Sequence, residues 1–247
     1  MRLSKSWDVA SKDFATFSRK RNIIYTVFIV PILVSILLPA VVEYVVKNSG
    51  GGATPAELAY LLPSFTFFYM ILAGLAPTTI AAYSIVGEKV EKCFEPLLAT
   101  PMTDSEILLG KGIAAFAPPI AAILAGASIF MGLMDAVTYG VFGYNFFPNG
   151  NAAVVFFLMV PLAAIMSVEW NIIVSARVSD VRIATQVGML LILPFAGIYV
   201  GGELGVVPLG DITDLLLIAA ALLVLDLLLL FVASATFRRE EILTKWR

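Results

Sequence analysis

The chain has 247 residues, 60% hydrophobic and 14% charged, with a formal net charge of −2 and a mean hydropathy of +0.95. A soluble domain carries about 25% charged residues, so this much apolar surface exceeds what one soluble core can hide, and lipid is the expected solvent. With no histidine and Cys93 as the single cysteine, Ser-His triads, His-ligated zinc, cysteine metal clusters and intrachain disulfides are excluded.

Residues 1–22, "MRLSKSWDVASKDFATFSRKRN", are too polar for a secretory signal peptide. Leu3, Trp7, Ala10, Phe14 and Phe17 recur at helical spacing, while Lys5, Asp8, Lys12 and Arg19 fall mostly elsewhere. The pattern predicts a helix lying in the membrane interface, its basic end near anionic headgroups. Such a helix serves either as a topology anchor or as a lever joining a partner to the first span.

A helix needs about 20 apolar residues to cross roughly 30 Å of hydrocarbon. Six segments within 23–237 qualify: Ile23–Val46, Leu61–Val86, Gly112–Met134, Ala152–Ala176, Ile183–Val200 and Ile212–Phe237. The expected fold class is an all-α membrane protein. Pro194 and several glycines interrupt the fifth segment, and prolines at 31, 39, 63, 77, 118, 119 and 161 predict kinks or span ends. The segment "PSFTFFYM" (63–70) reads as an interfacial aromatic belt or as the lining of a route for an amphiphile.

Charge sets the expected orientation. Fifteen of the 16 basic residues fall in the N-terminal segment, the second–third loop, the fourth–fifth loop and the basic tail at 238–247; Lys47 alone lies on the other side. By the positive-inside rule both termini are cytoplasmic, in a multi-pass protein of the cell membrane.

The second–third loop, 87–111, is far longer than the 2–8 residues a helix–helix connection needs. Val90, Cys93, Phe94, Leu97 and Leu98 make the stripe of a short amphipathic helix, interrupted at Glu95-Pro96. Thr100-Pro101 breaks the chain, and Thr103 with Glu106 fits a capping box that restarts a helix into the third span. A solvated face explains the charges here but not the apolar stripe, which needs a cover.

"EPLLATP", a hydroxyl residue and then "EILLGK" closely resemble the first cytoplasmic loop of the type-2 ABC (ATP-binding cassette) permeases, membrane subunits of exporter type. The matching positions are Glu88, Glu95–Pro101 and Glu106–Lys111, within a stretch that covers about a tenth of the chain; "FRREEIL" (237–243) matches less specifically. Cys93-Phe94 departs from the family's usual small or hydroxyl residue followed by leucine. The resemblance implies that the loop is a coupling helix docking into a separate ATPase subunit. Phe94, Leu97 and Leu98 would fill a groove there, Glu88, Glu91 and Glu95 would meet basic side chains, and Pro96, Thr100 and Pro101 would complete the ATPase-coupling interface. It also implies pairing with a second copy or a homologous permease, contact with membrane lipids and no nucleic acid. No cofactor is expected in this chain, which has no phosphate-binding G-x-x-x-x-G-K-[ST] loop; ATP and Mg2+ belong to the ATPase. Glu88 begins the loop at the membrane and is expected to pair with Arg19, Lys20, Arg21 or Arg177, a transmission pair between loop and spans.

Three further signals remain. Glu169 and Asp226 lie inside spans, where a charge costs about 2.5–3.5 kcal/mol on insertion scales; each could line a path, bind a cation or form an interhelical hydrogen bond, with Asn171 part of a Glu169-Trp170-Asn171 polar cluster. These residues also support a different reading, a stand-alone ion-coupled carrier or channel. Gly197, Gly201 and Gly205 permit either close helix approach or a soft turn before the last span. "PLGD" (208–211) faintly resembles an intramembrane aspartyl protease site but lacks a second aspartate at its depth.

Overall fold

A computed structural model describes residues 3–48, 54–90 and 102–236. Among these there is no strand, and six helices are long and apolar enough to cross a membrane: Tyr25–Asn48, Pro55–Val90, Asp104–Phe142, Gly150–Arg177, Val181–Glu203 and Ile212–Ser234, hereafter the first to sixth spans. The protein is an all-α membrane protein. A separate helix, α1 (Leu3–Phe17), precedes them.

More than half of the most apolar stretch of the second and fourth spans is buried, against about a fifth in the fifth and sixth, so the bundle is built around the second and fourth. The first span packs on the third, the sixth on the fourth, and the fifth on the second and fourth. The outward surface remains apolar: Phe157 and Phe231 are each 74% exposed. Such a surface fits hydrocarbon and not water.

Two apolar cores stack along the bundle. One joins Leu62, Phe67, Tyr69, Phe130, Phe156 and Phe195, towards the end where the second span begins. The other joins Ala10 and Phe17 of α1 with Ile85, Ile107, Ala114 and Ile172. It lies at the opposite end, which carries α1, Glu88 and Lys111 and is called the basic end below.

Several helix boundaries lie beyond their predicted places. The second span starts at Pro55 because Thr54 caps it: its hydroxyl accepts from the Glu57 amide at 3.3 Å, and Glu57 accepts from the Thr54 amide at 2.9 Å. This capping box was visible in the sequence and was missed. The predicted box at Thr103 forms, with Thr103 accepting from the Glu106 amide at 3.3 Å and Glu106 from the Thr103 amide at 3.0 Å. From it the third span runs unbroken for 39 residues through Pro118 and Pro119. The fifth span breaks at Leu190–Leu191 into Val181–Met189 and Ile192–Glu203. Pro194 has no amide to give the Leu190 carbonyl and its ring crowds that carbonyl, which places the break four residues before it.

Most of "PSFTFFYM" packs inside the bundle and not in an interfacial belt, with Pro63, Phe65 and Phe68 partly buried. Ser64, Thr66, Phe67, Tyr69 and Met70 are buried in the bundle. Ser35 donates to the Pro31 carbonyl at 2.6 Å, which leaves the Tyr69 hydroxyl to donate to Ser35 at 2.6 Å. The rings of Phe130 and Phe156 flank Tyr69 at 5.3 and 5.2 Å.

The glycine series serves the turn reading. Gly197 has open space around it, Gly201 faces Val207 in the following turn, and Gly205 takes φ +72°. Gly202 meets Leu209, and Tyr60 donates to the Gly202 carbonyl at 2.9 Å, fastening that turn to the second span. Asp211 accepts from the Thr213 hydroxyl at 2.7 Å and amide at 3.2 Å. It starts the sixth span, a capping role that leaves the aspartyl-site reading without support.

Candidate functional site

The basic end gathers four charged side chains around Ser84. The α1 helix presents Ser6, Val9, Ala10, Asp13 and Phe17 as its buried face, and that face lies against the third span. Contact is close because Gly110 has no side chain: a Cβ there would stand 2.6 Å from the Ser6 carbonyl oxygen and 2.7 Å from the Val9 Cβ. The predicted apolar stripe is therefore divided. Ala10 and Phe17 pack inward, whereas Trp7 is 59% exposed and touches Phe14 edge-on at 6.3 Å. The sequence pattern misjudged this face because Ser6 and Asp13, both polar, lie at its centre.

Lys111 occupies that centre. Its ammonium donates to the Glu88 carboxylate at 2.7 Å, the Ser84 carbonyl at 2.6 Å and the Ser84 hydroxyl at 3.2 Å, and lies 3.5 Å from Asp13. Ser84 in turn donates to Asp13 at 2.6 Å. The other Glu88 oxygen takes Lys12 at 2.7 Å. Exposure falls from 49% at the Lys12 side chain through 14% at Glu88 to 3% at Asp13 and 1% at Lys111. Among the described residues two acids face two bases, and the inner pair has been taken out of water. Burial raises the Asp13 carboxyl above the ordinary carboxylate range, with Lys111 and the Ser84 hydrogen bond pulling the other way. The cluster ties three elements: α1, the end of the second span just past a π-helical turn at Tyr83–Gly87, and the start of the third span.

The expected partners of Glu88 are corrected. Lys12 and Lys111 hold it. Arg19 and Arg21 lie past the end of α1 and are exposed, as is Arg177, and Lys20 sits 5.1 Å from the centre of the Tyr83 ring. The reason is helical geometry: Lys12 adjoins the buried face, while Arg19 lies about two turns further on. Beside Glu88, buried Lys89 donates to the Ser175 carbonyl at 2.6 Å, placing a positive charge on the last turn of the fourth span. Sequence reasoning placed Lys12 on the polar side of α1 and Lys111 in the family-like loop, counted Lys12, Lys89 and Lys111 towards orientation, gave none of them to Glu88, and read Asp13 not at all. Glu91, Phe94, Glu95, Pro96, Leu97, Leu98, Thr100 and Pro101 lie outside the described residues.

The 169–171 stretch is not one polar cluster, because successive helical residues point about 100° apart. The Asn171 amide donates to Thr78 at 3.2 Å and to the Ser167 carbonyl at 2.7 Å, towards the second span, and its side chain abuts Gly188 of the fifth. The Trp170 indole donates to the Val187 carbonyl at 3.2 Å, just before the fifth-span break. Glu169 faces the third and sixth spans. Asp226 is buried although Leu225, Leu227 and Leu228 beside it are exposed, so it faces into the protein. The expected interhelical hydrogen bond is absent: neither oxygen of Asp226 nor Oε2 of Glu169 has a partner. Among the described residues no group of three acidic or cysteine side chains is placed to hold a metal.

A six-span bundle with α1 locked to the end of the second span and the start of the third sets the context for comparison with known proteins. A family model described as ABC-2 family transporter protein matches residues 7–210, from α1 into the last loop. The chain belongs to the ABC-2 transporter family. It is accordingly a permease component of an ABC transporter, a transport subunit and not an enzyme, and a multi-pass membrane protein. The matched region covers the whole basic-end cluster, so Asp13, Glu88 and Lys111 lie within the permease domain and not in an appended tail. A search of curated proteins finds no match to the chain.

Proposed function

We propose that this permease is the exporter-type membrane half of a transporter whose ATPase is a separate subunit, docked on residues 87–111 from the cytoplasmic side. Two copies, or one copy and a homologous permease, enclose the path, with both termini cytoplasmic in the cell membrane. ATP and Mg2+ bind the partner and closure of the ATPases pushes the loop. The push enters the spans through Glu88, which stands at the loop's membrane end.

The observation that carries this reading is the Glu88–Lys111–Asp13–Lys12 cluster. A loop that merely connected two spans would need no buried cation at its root. Here the chain accepts the desolvation of Lys111 and Asp13 and thereby binds α1, the second span and the third into one element. Load applied at the loop moves all three together. The basic distribution supports the orientation, and the Phe94, Leu97 and Leu98 stripe supplies an apolar surface for a groove on the partner.

Affinity purification from the native membrane tests the docking. The wild-type chain brings down an ATP-hydrolysing subunit, and the double substitution Leu97→Asp, Leu98→Asp lowers that recovery about tenfold or more, since charge placed in an apolar contact costs several kcal/mol. Transport by the purified chain in liposomes with no ATPase present overturns the reading and favours an ion-coupled carrier using Glu169 and Asp226.

A further inference from the structure

Glu169 and Asp226 take no part in the basic-end cluster, and their surroundings assign them a different task. A groove of about 500 Å³ runs between the third, fourth and sixth spans. Ser105 and Ser234, both exposed, lie at its mouth, and its walls include Leu109, Ile113, Phe116, Ile165 and Leu230. Glu169 is its one acidic lining residue, 6% exposed, with Oε2 buried and without a hydrogen-bond donor. At 1.5 Å per residue it stands about 12 Å from Arg177 along the fourth span. Asp226 is not a lining residue, but it interacts electrostatically with Glu169 and adds a second carboxyl behind the wall.

A buried carboxyl oxygen without a donor is costly, and one inside a membrane span is costlier still. The two carboxyls do not satisfy each other, because both Asp226 oxygens are also unpartnered. A hard metal ion is a poor occupant: it wants six or more oxygens, and the walls here are apolar. What matches one carboxylate in an apolar groove of this size is a bulky apolar body carrying one positive charge. We propose that the groove binds a lipophilic cation, with the Glu169 carboxylate as its counter-ion.

The ligand's relevance to transport rests on the permease reading, but its binding does not, since the groove lies within one chain and needs no ATPase. The probes are tetraphenylphosphonium and tetraphenylborate, which share shape and apolar character and differ in the sign of charge. The full chain in nanodiscs of zwitterionic lipid is dialysed against each, and retention by empty nanodiscs is subtracted. The wild type retains tetraphenylphosphonium about tenfold better than Glu169→Gln and shows no such preference for tetraphenylborate. Gly112→Leu narrows the groove with Glu169 intact. An added Cβ at Gly112 meets no atom nearer than Val168 Cγ1, at 3.9 Å, so the backbone accepts a substitution there, and this variant also loses retention. Undiminished retention by Glu169→Gln, equal retention of the two ions by the wild type, or no retention because a second copy fills the groove each overturns the proposal.

Discussion

Lys111→Met lowers the thermal stability of the detergent-solubilised permease by about 3–5 kcal/mol, the range for removing one member of a buried ion pair. Lys111 and Asp13 are nearly inaccessible, and Lys111 is the ion common to Asp13, Glu88 and Ser84. Without it two carboxyls remain with Lys12, which pairs with Glu88 from a half-exposed position. Lys12→Met therefore costs no more than about 1 kcal/mol, as for an exposed pair. The contrast separates a buried network from a general loss of positive charge, since the two variants change net charge equally. Adding Asp13→Asn to Lys111→Met recovers part of the loss, because it removes a buried charge that no longer has its cation. Melting curves followed by far-UV circular dichroism measure all three, and equal effects of the two lysine substitutions refute the arrangement.

Gly110→Val is expected to pry α1 from the third span. A Cβ at this position meets the Ser6 carbonyl oxygen and the Val9 Cβ inside contact distance, and a backbone oxygen has no rotamer with which to yield. Overpacking of this kind costs about 1–3 kcal/mol, and the cheapest relief is a shift of α1, which is held to the bundle along this one face. Ala10 is fully buried in the same contact. In a Cys93→Ser background, an Ala10→Cys thiol is protected from a water-soluble maleimide, and adding Gly110→Val makes it reactive. Gly132→Val, at a glycine with nothing within 4 Å of an added Cβ, leaves the thiol protected. A protected thiol in the Gly110 variant contradicts the close contact.

Six spans were legible because lipid imposes a length and a composition that few residues violate. The limits of the sequence lie where one side chain decides between two outcomes. Pro194 announced an interrupted fifth span but not the place of the break, which follows from the carbonyl four residues earlier. Thr103 and Glu106 announced a helix start, and the same spacing at Thr54 and Glu57 went unread among the glycines around it. At the basic end the sequence singled out Glu88 as the start of the loop, yet assigned it bases other than Lys12 and Lys111. Arg19, Lys20 and Arg21 form the dense positive run. Lys12 and Lys111 are single lysines whose role depends on α1 turning Asp13 inward, a rotation that the stripe of Trp7 and Phe14 concealed. Glu169 and Asp226 stood out as charges in spans, and only packing shows that Oε2 of Glu169 and both oxygens of Asp226 are buried without a donor.

The permease complexed with the proposed ATPase subunit in liposomes gives the most direct test, through the Glu88→Ala variant. Removal of Glu88 leaves Lys111 still facing Asp13 and Ser84, so the chain folds and the complex assembles in wild-type yield. Transport-coupled ATP hydrolysis per assembled complex then falls about tenfold or more, within the range of coupling energies between distant sites. Wild-type hydrolysis and transport in that variant would contradict the claim that Glu88 carries the motion of the loop into the spans.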